Sequence, residues 1–490
     1  MPIDALLRFI LFNEVNMKDK YPLLLGGRHV ETSHILNVIN PFNGEVISSV
    51  CRAAHTEAGI AIEVAERAKD AISKMPLHEK ANILRNISDK ISDKKEELAR
   101  IITLECGKPV SDSRAEVDRA ALTFKIASEE AARIGGEFIS LDRNKVSEGR
   151  WGITRRFPAG TVFGITPFNF PLNLVAHKIA PSIAAGNPII LKPASKTPVT
   201  ALALGDIIMD SGLPEGGLSV LPCDNKIAEK IITDERIKVF SFTGSASVGW
   251  RLKSKANQKK VILELGGNAG VIIDEACDLE YAAARCVTGA FSYAGQVCIS
   301  VQRIYIHEKV YGRFLELFLE KVKALKMGDP MNDSTNIGPM IDAENIERVE
   351  TWVNEAVEKG AKALTGGRKN ANFYEPTVLL DTTPEMKVSC MEVFAPVVTL
   401  AKIKDFKEGL NAVNNSVYGL QAGVFTDNLK NAHTAFETLE VGGVIINDVP
   451  TYRIDHMPYG GVKISGFGRE GIKYAIEEMT ELRLMVMNLR

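Results

Sequence analysis

Apolar residues in the first third of the chain recur at three- and four-residue intervals among charged positions, a spacing typical of amphipathic helices. Two such segments run from Ala58 to Ser73 and from Glu79 to Gly107, and a third occupies residues 114–134 before Gly135 and Gly136. The residues from Phe138 to Phe157 alternate instead and include several arginines. This change of period predicts helices followed by an exposed hairpin or arm.

Short apolar runs then alternate with helical patterns from Gly160 to Gly244. They predict strands at 162–165, 189–191, 218–221 and 239–242, separated by helices near 172–185, 198–211 and 225–233. A second series follows residues 261–263, with strands near 270–273, 302–306 and 397–403 and helices near 308–325 and 342–359. Strands that alternate with helices form parallel sheets covered on both faces, so we predict an α/β fold with two such units.

The last ten residues, from Glu481 to Arg490, contain six apolar side chains and predict a terminal strand. Little sheet remains for this strand to join, so we expect it to pair with the arm of another subunit. At the other end, the apolar stretch in residues 1–16 is broken by Arg8, followed by Glu14 and not followed by a small-residue cleavage site. We therefore expect a leader without signal-peptide function, with folded sequence beginning near Met17.

Composition narrows the class of protein. At roughly 150 residues per domain, 490 residues make about three folding units or two large ones. The 59 Lys and Arg against 61 Asp and Glu give a net charge of −2, which excludes a field that would hold nucleic acid or an anionic membrane. Seven cysteines without a C-x-x-C pair indicate free thiols in a reducing, cytoplasmic environment, and eight scattered histidines indicate no metal site.

Two segments are candidates for nucleotide binding. The run from Phe240 to Gly249 predicts a buried strand, a glycine turn and a helix start with Ser245 as cap, which would direct backbone N–H groups at a pyrophosphate. A purely structural turn explains the same residues, because the G-x-G-x-x-G pattern is absent. Lys192 follows a buried strand, where its ammonium group could bind ribose hydroxyls or a 2′-phosphate. The alternative is that Lys192 is an exposed lysine that ends the strand and binds no ligand. Ser195 carries no charge that would repel that phosphate.

Three other residues are candidates for catalysis. Cys298 lies in a glycine-bearing turn, Glu264 is a single carboxylate inside an apolar strand, and Asn169 stands between Pro167 and Pro171. A thiol, a carboxylate and a stiffly held amide are suited to nucleophilic attack, general-base catalysis and oxyanion binding, respectively. The alternatives are a buried hydrophobic cysteine, a glutamate with an unidentified partner and a turn asparagine that satisfies its own backbone.

Six ordered motifs resemble those of the aldehyde dehydrogenase superfamily, from about Pro41 to the C-terminus. They are N-F-P at 169–171, F-T-G-S at 242–245, E-L-G-G at 264–267, F-x-x-x-G-Q-x-C at 291–298, E-x-F-x-P at 392–396 and S-G-x-G-R-E at 465–470. The resemblance implies a Rossmann-type cofactor domain (17–137 and 157–263), an α/β catalytic domain (264–478) and a β oligomerisation arm (138–156 and 479–490). It also implies a homodimer or homotetramer.

The resemblance further implies roles for individual residues. Cys298 would attack an aldehyde, Asn169 would hold the oxyanion with Lys178 nearby, Glu264 would activate water, and Glu470 would relay protons. Because Glu264 is present, the product would be a carboxylic acid rather than a coenzyme A thioester. The implied cofactor site consists of Thr166, Pro167, Lys192, Ser195, Gly244, Ser245, Leu265, Glu392 and Phe394.

Departures from the family pattern bear on specificity. Ser195 replaces the Glu common in strictly NAD-linked relatives, which predicts acceptance of NADP, with NAD as the alternative. Arg119 lies at a position that lines the substrate entrance in relatives, and Arg453 and His456, in the loop 448–456, are predicted to bind substrate with it; each arginine could instead be a solvated surface charge. Guanidinium groups there would favour a small polar or anionic aldehyde. The subgroup resembled most is that of lactaldehyde and glyceraldehyde-type dehydrogenases.

Several other functions are compatible with the same sequence. The predicted substrates are lactaldehyde, glyceraldehyde and glyceraldehyde-3-phosphate, and the alternatives are succinate semialdehyde or a phosphono- or sulfo-aldehyde. The chain could also be a catalytically idle relative that binds nucleotide, because a fold alone does not establish an activity.

Overall fold

A computed structural model describes residues 17–489 of the chain. The expected leader at residues 1–16 lies outside the described residues. The first strand, Lys20–Tyr21, joins a small three-stranded sheet with Val46–Cys51 and Ile35–Ile39. No helix within residues 17–489 is long and apolar enough to cross a membrane.

An eight-stranded sheet forms the first α/β unit. Its strands lie in the order Gly466–Phe467, Lys260–Glu264, Val239–Thr243, Val162–Ile165, Ile189–Lys192, Leu218–Val220, Leu23–Leu25 and Arg28–Val30. The five strands from Lys260–Glu264 to Leu218–Val220 are parallel, and the outer pairings are antiparallel. Their continuous apolar runs are explained by this arrangement, because helices cover both faces of a parallel sheet. The predicted strands of this unit are confirmed within one residue.

Nine helices among the described residues surround this sheet: His55–Lys74, Leu77–Asp93, Lys95–Cys106, Val110–Ala131, Asn173–Ala185, Val199–Met209, Asn225–Thr233, Ala246–Lys255 and Ile472–Glu478. The pattern predicted helical structure without interruption from Glu79 to Gly107, but the structure has two helices that meet at Lys94, with φ −99° and ψ 21°. Neither Gly nor Pro marks that break. The apolar spacing continues across it, so the pattern could not show the bend.

A seven-stranded sheet forms the second unit. Its strands lie in the order Lys362–Thr365, Thr377–Leu380, Val397–Ile403, Arg303–His307, Gly270–Ile273, Gln421–Phe425 and Gly443–Ile446. Its helices are Leu279–Phe291, Tyr311–Lys323, Ala343–Glu358, Lys387–Cys390, Phe406–Asn414 and Leu429–Thr438. Two short pairs, Lys369–Asn370 with Phe373–Tyr374 and Tyr418–Gly419 with Val462–Lys463, complete the unit. The predicted second α/β unit is therefore confirmed.

Three antiparallel strands, Phe138–Ser140, Arg150–Pro158 and Thr480–Asn488, form the projecting arm. The expectation that little sheet remains for the terminal strand is wrong, whereas its pairing with another subunit stays a prediction. The strand pairs with Arg150–Pro158 of the same chain, from Thr480 opposite Pro158 to Asn488 opposite Arg150. The reason is geometric: the helix Ile472–Glu478 ends beside the free edge of Arg150–Pro158 and delivers the chain directly to it.

Candidate active site

The carboxyl edge of the first sheet carries two of the three candidate catalytic residues. Glu264 is the last residue of its strand and lies opposite Thr243 of the neighbouring strand. Asn169 follows the strand Val162–Ile165, the next strand along the same edge. Ligands of open α/β sheets bind outside this edge, so both side chains lie where a ligand is expected.

Cys298 reaches this edge from the second unit. It follows the helix Leu279–Phe291 and a turn in which Tyr293, Ala294 and Gly295 adopt φ values of 49°, 51° and 67°. A Cβ atom on Gly295 would lie 2.2 Å from the Ala395 carbonyl oxygen, so no larger residue fits there. The predicted glycine-bearing turn is thus present, although it continues through residues 296–302 before the strand Arg303–His307 begins.

A cavity of 680 Å³ brings the three candidates together, with Cys298, Glu264 and Asn169 in its lining. A second cavity of 240 Å³ lies beyond them and shares Leu174, Cys298, Arg453 and Tyr459 with the first. The sulfur therefore lies where two cavities meet. Such a position allows a nucleophile to meet a substrate from one side and a cofactor from the other.

The Cys298 thiol is a weak acid in this environment. Burial raises its pKa to about 11, and the nearby carboxyl groups of Glu392 and Glu264 also raise it. Two groups oppose this effect: the Tyr459 hydroxyl, 3.3 Å from Sγ, and the charge of Arg453. Formation of the Cys298 thiolate thus depends on Tyr459 and Arg453, the two groups that lower its pKa.

Glu264 is a buried carboxyl group without a protein partner. It is 3% exposed, and neither oxygen has a hydrogen-bond partner among residues 17–489. Burial, and then the charge of Glu470, raise its pKa well above the usual range. The alternative of an unidentified structural partner is not supported by these contacts. A buried carboxyl group with such a pKa is suited to proton transfer near neutral pH.

Asn169 connects the two halves of the site. Its Nδ2 donates a hydrogen bond to the Gln296 carbonyl oxygen at 2.9 Å, and the side chain is 3% exposed. This bond joins the loop after Val162–Ile165 to the turn before Cys298. The amide has a second N–H, which could donate a hydrogen bond to an oxygen bound in the cavity.

Lys178 does not line the cavity, and its predicted place near the oxyanion stays a prediction. It is fully buried on the helix Asn173–Ala185, where Nζ donates to Ser241 Oγ (3.0 Å), Thr243 Oγ1 (2.9 Å) and Glu470 Oε1 (3.2 Å). The ammonium group is thus directed at the sheet and at Glu470. Burial alone would raise the pKa of Glu470, but Lys178, His177 and Arg453 outweigh it and lower the pKa. Of the two neighbouring carboxyl groups, Glu264 therefore retains the proton.

The larger cavity also has features that fit a dinucleotide. Ser245 occupies the N-cap position of the helix Ala246–Lys255, but its side chain makes no capping hydrogen bond, unlike the predicted cap. Ser245, Ala246 and Ser247 line the cavity. The backbone N–H groups of the first turn and the helix dipole are available there for phosphate oxygens.

The same cavity is lined by Pro167, Gly244, Leu265, Glu392 and Phe394. Glu392 Oε1 accepts a hydrogen bond from the Gly267 N–H at 3.1 Å, and burial raises the pKa of Glu392 to about 7. A Cβ atom on Gly266 would lie 2.1 Å from Glu392 Oε2, so the carboxyl group packs directly on the backbone. The Phe394 ring meets the Phe168 ring edge-on, with centroids 5.9 Å apart.

Three residues of the implied cofactor site lie at the same edge without lining the cavity. Thr166 is buried, and its backbone N–H donates to the Lys192 carbonyl oxygen at 3.2 Å. Lys192 is 5% exposed, so the alternative of an exposed lysine is wrong, and burial lowers its pKa. Ser195 is exposed.

The smaller cavity is lined by both predicted arginines, so neither is a fully solvated surface charge. Arg119 forms an ion pair with buried Asp455, with Nη2 2.8 Å from Oδ1. The Arg453 guanidinium lies 3.7 Å from the Tyr459 ring centroid, and its Nη2 is 3.4 Å from both Glu470 Oε2 and His177 Nε2. Its buried Nε has no partner among the described residues. This guanidinium therefore retains a hydrogen-bond donor.

His456 is exposed and lines neither cavity, so its place at the substrate entrance stays a prediction. Its neighbour Asp455 turns inward and accepts hydrogen bonds from His177 (2.7 Å) and Arg119. Burial alone would raise the pKa of Asp455, but these partners hold it well below its usual range. The histidine near the site is instead His177, which is buried and therefore has a lowered pKa.

Sequence reasoning missed several residues of the smaller cavity. Lys108 and Glu116 form a buried ion pair, and Lys108 Nζ lies 3.8 Å from the Phe170 ring centroid. Glu116 also accepts the backbone N–H groups of Leu172 and Asn173. Glu116 lies on a predicted helix, where its spacing gave no sign of burial, and Lys108 lies outside every predicted element. Within residues 17–489, no group of three His, Cys, Asp or Glu residues could hold a metal ion.

Comparison with known proteins gives consistent relatives. Residues 29–485 match the Aldehyde dehydrogenase family. The 3-sulfolactaldehyde dehydrogenase of Priestia aryabhattai is 45% identical over 472 residues, 96% of this chain and 98% of that protein. The crystal structure of aldehyde dehydrogenase 21 from Physcomitrella patens, in complex with the reaction product succinate, has a TM-score of 0.95 and 45% identity, covering 96% of this chain and 99% of that chain.

A second solved structure is the glyceraldehyde-3-phosphate dehydrogenase GapN from Methanocaldococcus jannaschii, complexed with NADP. It has a TM-score of 0.89 and 40% identity, covering 92% of this chain and 99% of that chain. These relatives, and others named lactaldehyde dehydrogenase, confirm the subgroup that the motifs indicated. The two α/β units, the large cavity and the cysteine where two cavities meet agree with this match. The chain belongs to the aldehyde dehydrogenase family, whose members oxidise aldehydes with NAD or NADP.

Proposed function

We propose that this protein oxidises a small anionic aldehyde to its carboxylic acid, with NADP preferred over NAD. The observation that carries the substrate class is the buried Arg453 guanidinium, whose Nε has no partner and whose side chain lines both cavities beside Cys298. A guanidinium fork binds carboxylate, phosphate or sulfonate oxygens. Arg119 lines the same small cavity and adds a second positive group.

The charges around the small cavity support an anionic substrate. The Glu116 carboxylate is paired with Lys108 and accepts hydrogen bonds from two backbone N–H groups. It therefore does not compete with an anionic substrate for the Arg453 guanidinium. Burial raises the pKa of Asp112, the other carboxyl group in the lining, which favours its neutral form. The named relatives fit this class, since sulfolactaldehyde, succinate and glyceraldehyde-3-phosphate each carry an anionic group.

In the proposed reaction, the Cys298 thiolate attacks the aldehyde carbon, a C–S bond forms, and the carbonyl electron pair moves to oxygen. The free N–H of Asn169 and the Cys298 backbone N–H stabilise that oxyanion. The chemistry supplied by a bound coenzyme is hydride acceptance, which converts the thiohemiacetal into a thioester. Glu264 then takes a proton from water, the hydroxide oxygen bonds to the thioester carbon, and the C–S electron pair returns to sulfur.

Coenzyme binding is assigned to the larger cavity. Ser245 and the first turn of Ala246–Lys255 would bind the phosphates, Glu392 the nicotinamide ribose, and Phe394 the ring region. The preference for NADP is supported by Ser195, an uncharged residue at the exposed edge, and by the buried ammonium group of Lys192. No Glu stands at position 195 to repel a 2′-phosphate.

The domain division is also a proposal. A cofactor-binding domain would comprise residues 17–137 and 157–263, and a catalytic domain residues 264–478. The arm, residues 138–156 and 479–490, would join two or four copies of the chain. It presents exposed apolar side chains on its strands, including Phe138, Leu482, Leu484 and Val486, which a partner could cover.

The test is NADPH formation with a panel of aldehydes: glyceraldehyde-3-phosphate, succinate semialdehyde, sulfolactaldehyde, neutral lactaldehyde and a long-chain aldehyde. We expect the highest kcat/KM for an anionic member and no activity in Cys298→Ser. Cys277→Ser is the matched control, because Cys277 lines neither cavity, and it should retain activity. Equal rates in the wild type and Cys298→Ser would support the idle alternative. A faster long-chain aldehyde would refute the anionic substrate.

A further inference from the structure

The Tyr459 hydroxyl is held against the Cys298 sulfur. The two atoms are 3.3 Å apart, and Tyr459 is 3% exposed. Backbone hydrogen bonds in both directions join residue 459 to Glu470, at 3.0 and 2.7 Å. The Arg453 guanidinium packs on the ring, 3.7 Å from its centroid. Backbone and ring are thus both fixed, and the hydroxyl has little freedom to turn away from sulfur.

The hydroxyl is also available as a donor. Within residues 17–489 it makes no hydrogen bond other than the contact with Sγ. Arg453, which also favours the thiolate, acts through its charge, and its Nη2 atom donates to Glu470 Oε2 rather than to sulfur. Among the described residues, Tyr459 is therefore the one whose side chain is observed within hydrogen-bond distance of the Cys298 sulfur.

On the premise that Cys298 is the nucleophile, we propose that Tyr459 is a further catalytic residue, whose O–H donates to the Cys298 thiolate. When the C–S bond forms, the sulfur electron pair is used and the hydrogen bond weakens. When water cleaves the thioester, the pair returns to sulfur and the hydrogen bond forms again. The hydroxyl keeps its proton throughout, so it assists both the formation of the thiolate and its departure.

The direct test is the Tyr459→Phe variant of the full-length protein, which retains the ring and both backbone bonds. Thiolate content is measured by ultraviolet absorbance at about pH 10, relative to the same protein carrying Cys298→Ser. A charge-assisted hydrogen bond to sulfur corresponds to about one pKa unit, so the thiolate signal should fall about tenfold. Alkylation of Cys298 by iodoacetamide, followed by mass spectrometry, should slow only about threefold, because the less stabilised thiolate is more nucleophilic.

Comparing the fall in thiolate signal with the fall in alkylation rate distinguishes a hydroxyl that stabilises the thiolate from one that only packs against the sulfur. If the hydroxyl only kept the sulfur in place, alkylation would slow and the thiolate signal would remain. Tyr374→Phe is the matched control, because its buried hydroxyl has no hydrogen-bond partner among the described residues, and it should change neither quantity. An unchanged thiolate signal in Tyr459→Phe would overturn the proposal, as would a loss of cooperative unfolding. Neither measurement uses an aldehyde, so failure here is distinct from failure of the proposed function.

Discussion

Replacing Glu264 with Gln tests the proposed general base without removing a structural contact of this side chain. Neither carboxyl oxygen has a partner in the described residues, so Gln of the same shape removes no hydrogen bond that the protein makes. We expect normal folding and normal formation of the thioester, but slow hydrolysis. Loss of a general base lowers a rate by about 10²- to 10⁴-fold. That corresponds to about 3 to 5 kcal/mol in the barrier.

The assay is rapid mixing of enzyme, NADP and aldehyde, with NADPH absorbance as the signal. Glu264→Gln should give a burst of about one NADPH per Cys298, followed by the slow steady state, because the thioester accumulates. In the wild type, the hydrolytic rate should rise with pH, since the carboxyl group must lose its proton to act as a base and its pKa is raised. Equal steady-state rates in the variant and the wild type would refute the assignment, and so would loss of the burst.

The same variant has a defined effect on stability. The pKa of Glu264 in the folded protein lies above 4.5, the ordinary value that applies to the unfolded chain. Above pH 4.5 the folded protein therefore binds more protons than the unfolded chain, and its stability falls as the pH rises. Gln cannot ionise. The Tm difference, variant minus wild type, should therefore become more positive from about pH 5 to pH 8. A difference independent of pH would show that the carboxyl group is not held in its protonated form.

Three further predictions concern other parts of the molecule. Asn169→Ala should lower kcat by about 10²- to 10³-fold with little change in coenzyme affinity, because it removes an oxyanion donor; unchanged kcat would exclude that role. Ser195→Glu should shift the ratio of kcat/KM values from NADP towards NAD, whereas an unchanged ratio would exclude position 195 from coenzyme choice. Leu484→Glu, at a side chain 54% exposed on the arm, should reduce the oligomer measured by sedimentation, and an intact oligomer would place the interface elsewhere.

Most of the fold could be predicted from the period of apolar residues. Strands such as Val162–Ile165 and Val397–Ile403 were predicted with their observed bounds, because parallel strands buried on both faces are continuous apolar runs between glycines and polar turns. The break at Lys94 and the pairing partner of Thr480–Asn488 were not predicted. Both depend on where elements meet in space, which the local pattern does not contain.

The same limit applies to the candidate site. The cysteine, glutamate and asparagine each stand in a motif that resembles the family's, and that resemblance, rather than the local pattern, predicted that they share one site; one cavity contains all three. Tyr459 and Asp455 could not be identified in this way, because their importance comes from contacts with Cys298, Arg119 and His177 over more than 150 residues of chain. His456 was predicted from its place in the loop 448–456, and its side chain is exposed whereas that of its neighbour Asp455 is buried.

The most direct test of the account is the mass of the peptide that contains Cys298. Glu264→Gln protein is mixed with NADP and the best aldehyde, quenched in acid and digested. We expect an acyl group on Cys298, joined as a thioester, and no such mass when Cys298→Ser is combined with Glu264→Gln. An unmodified Cys298 peptide alongside NADPH formation, or an acyl group on another cysteine, would contradict it.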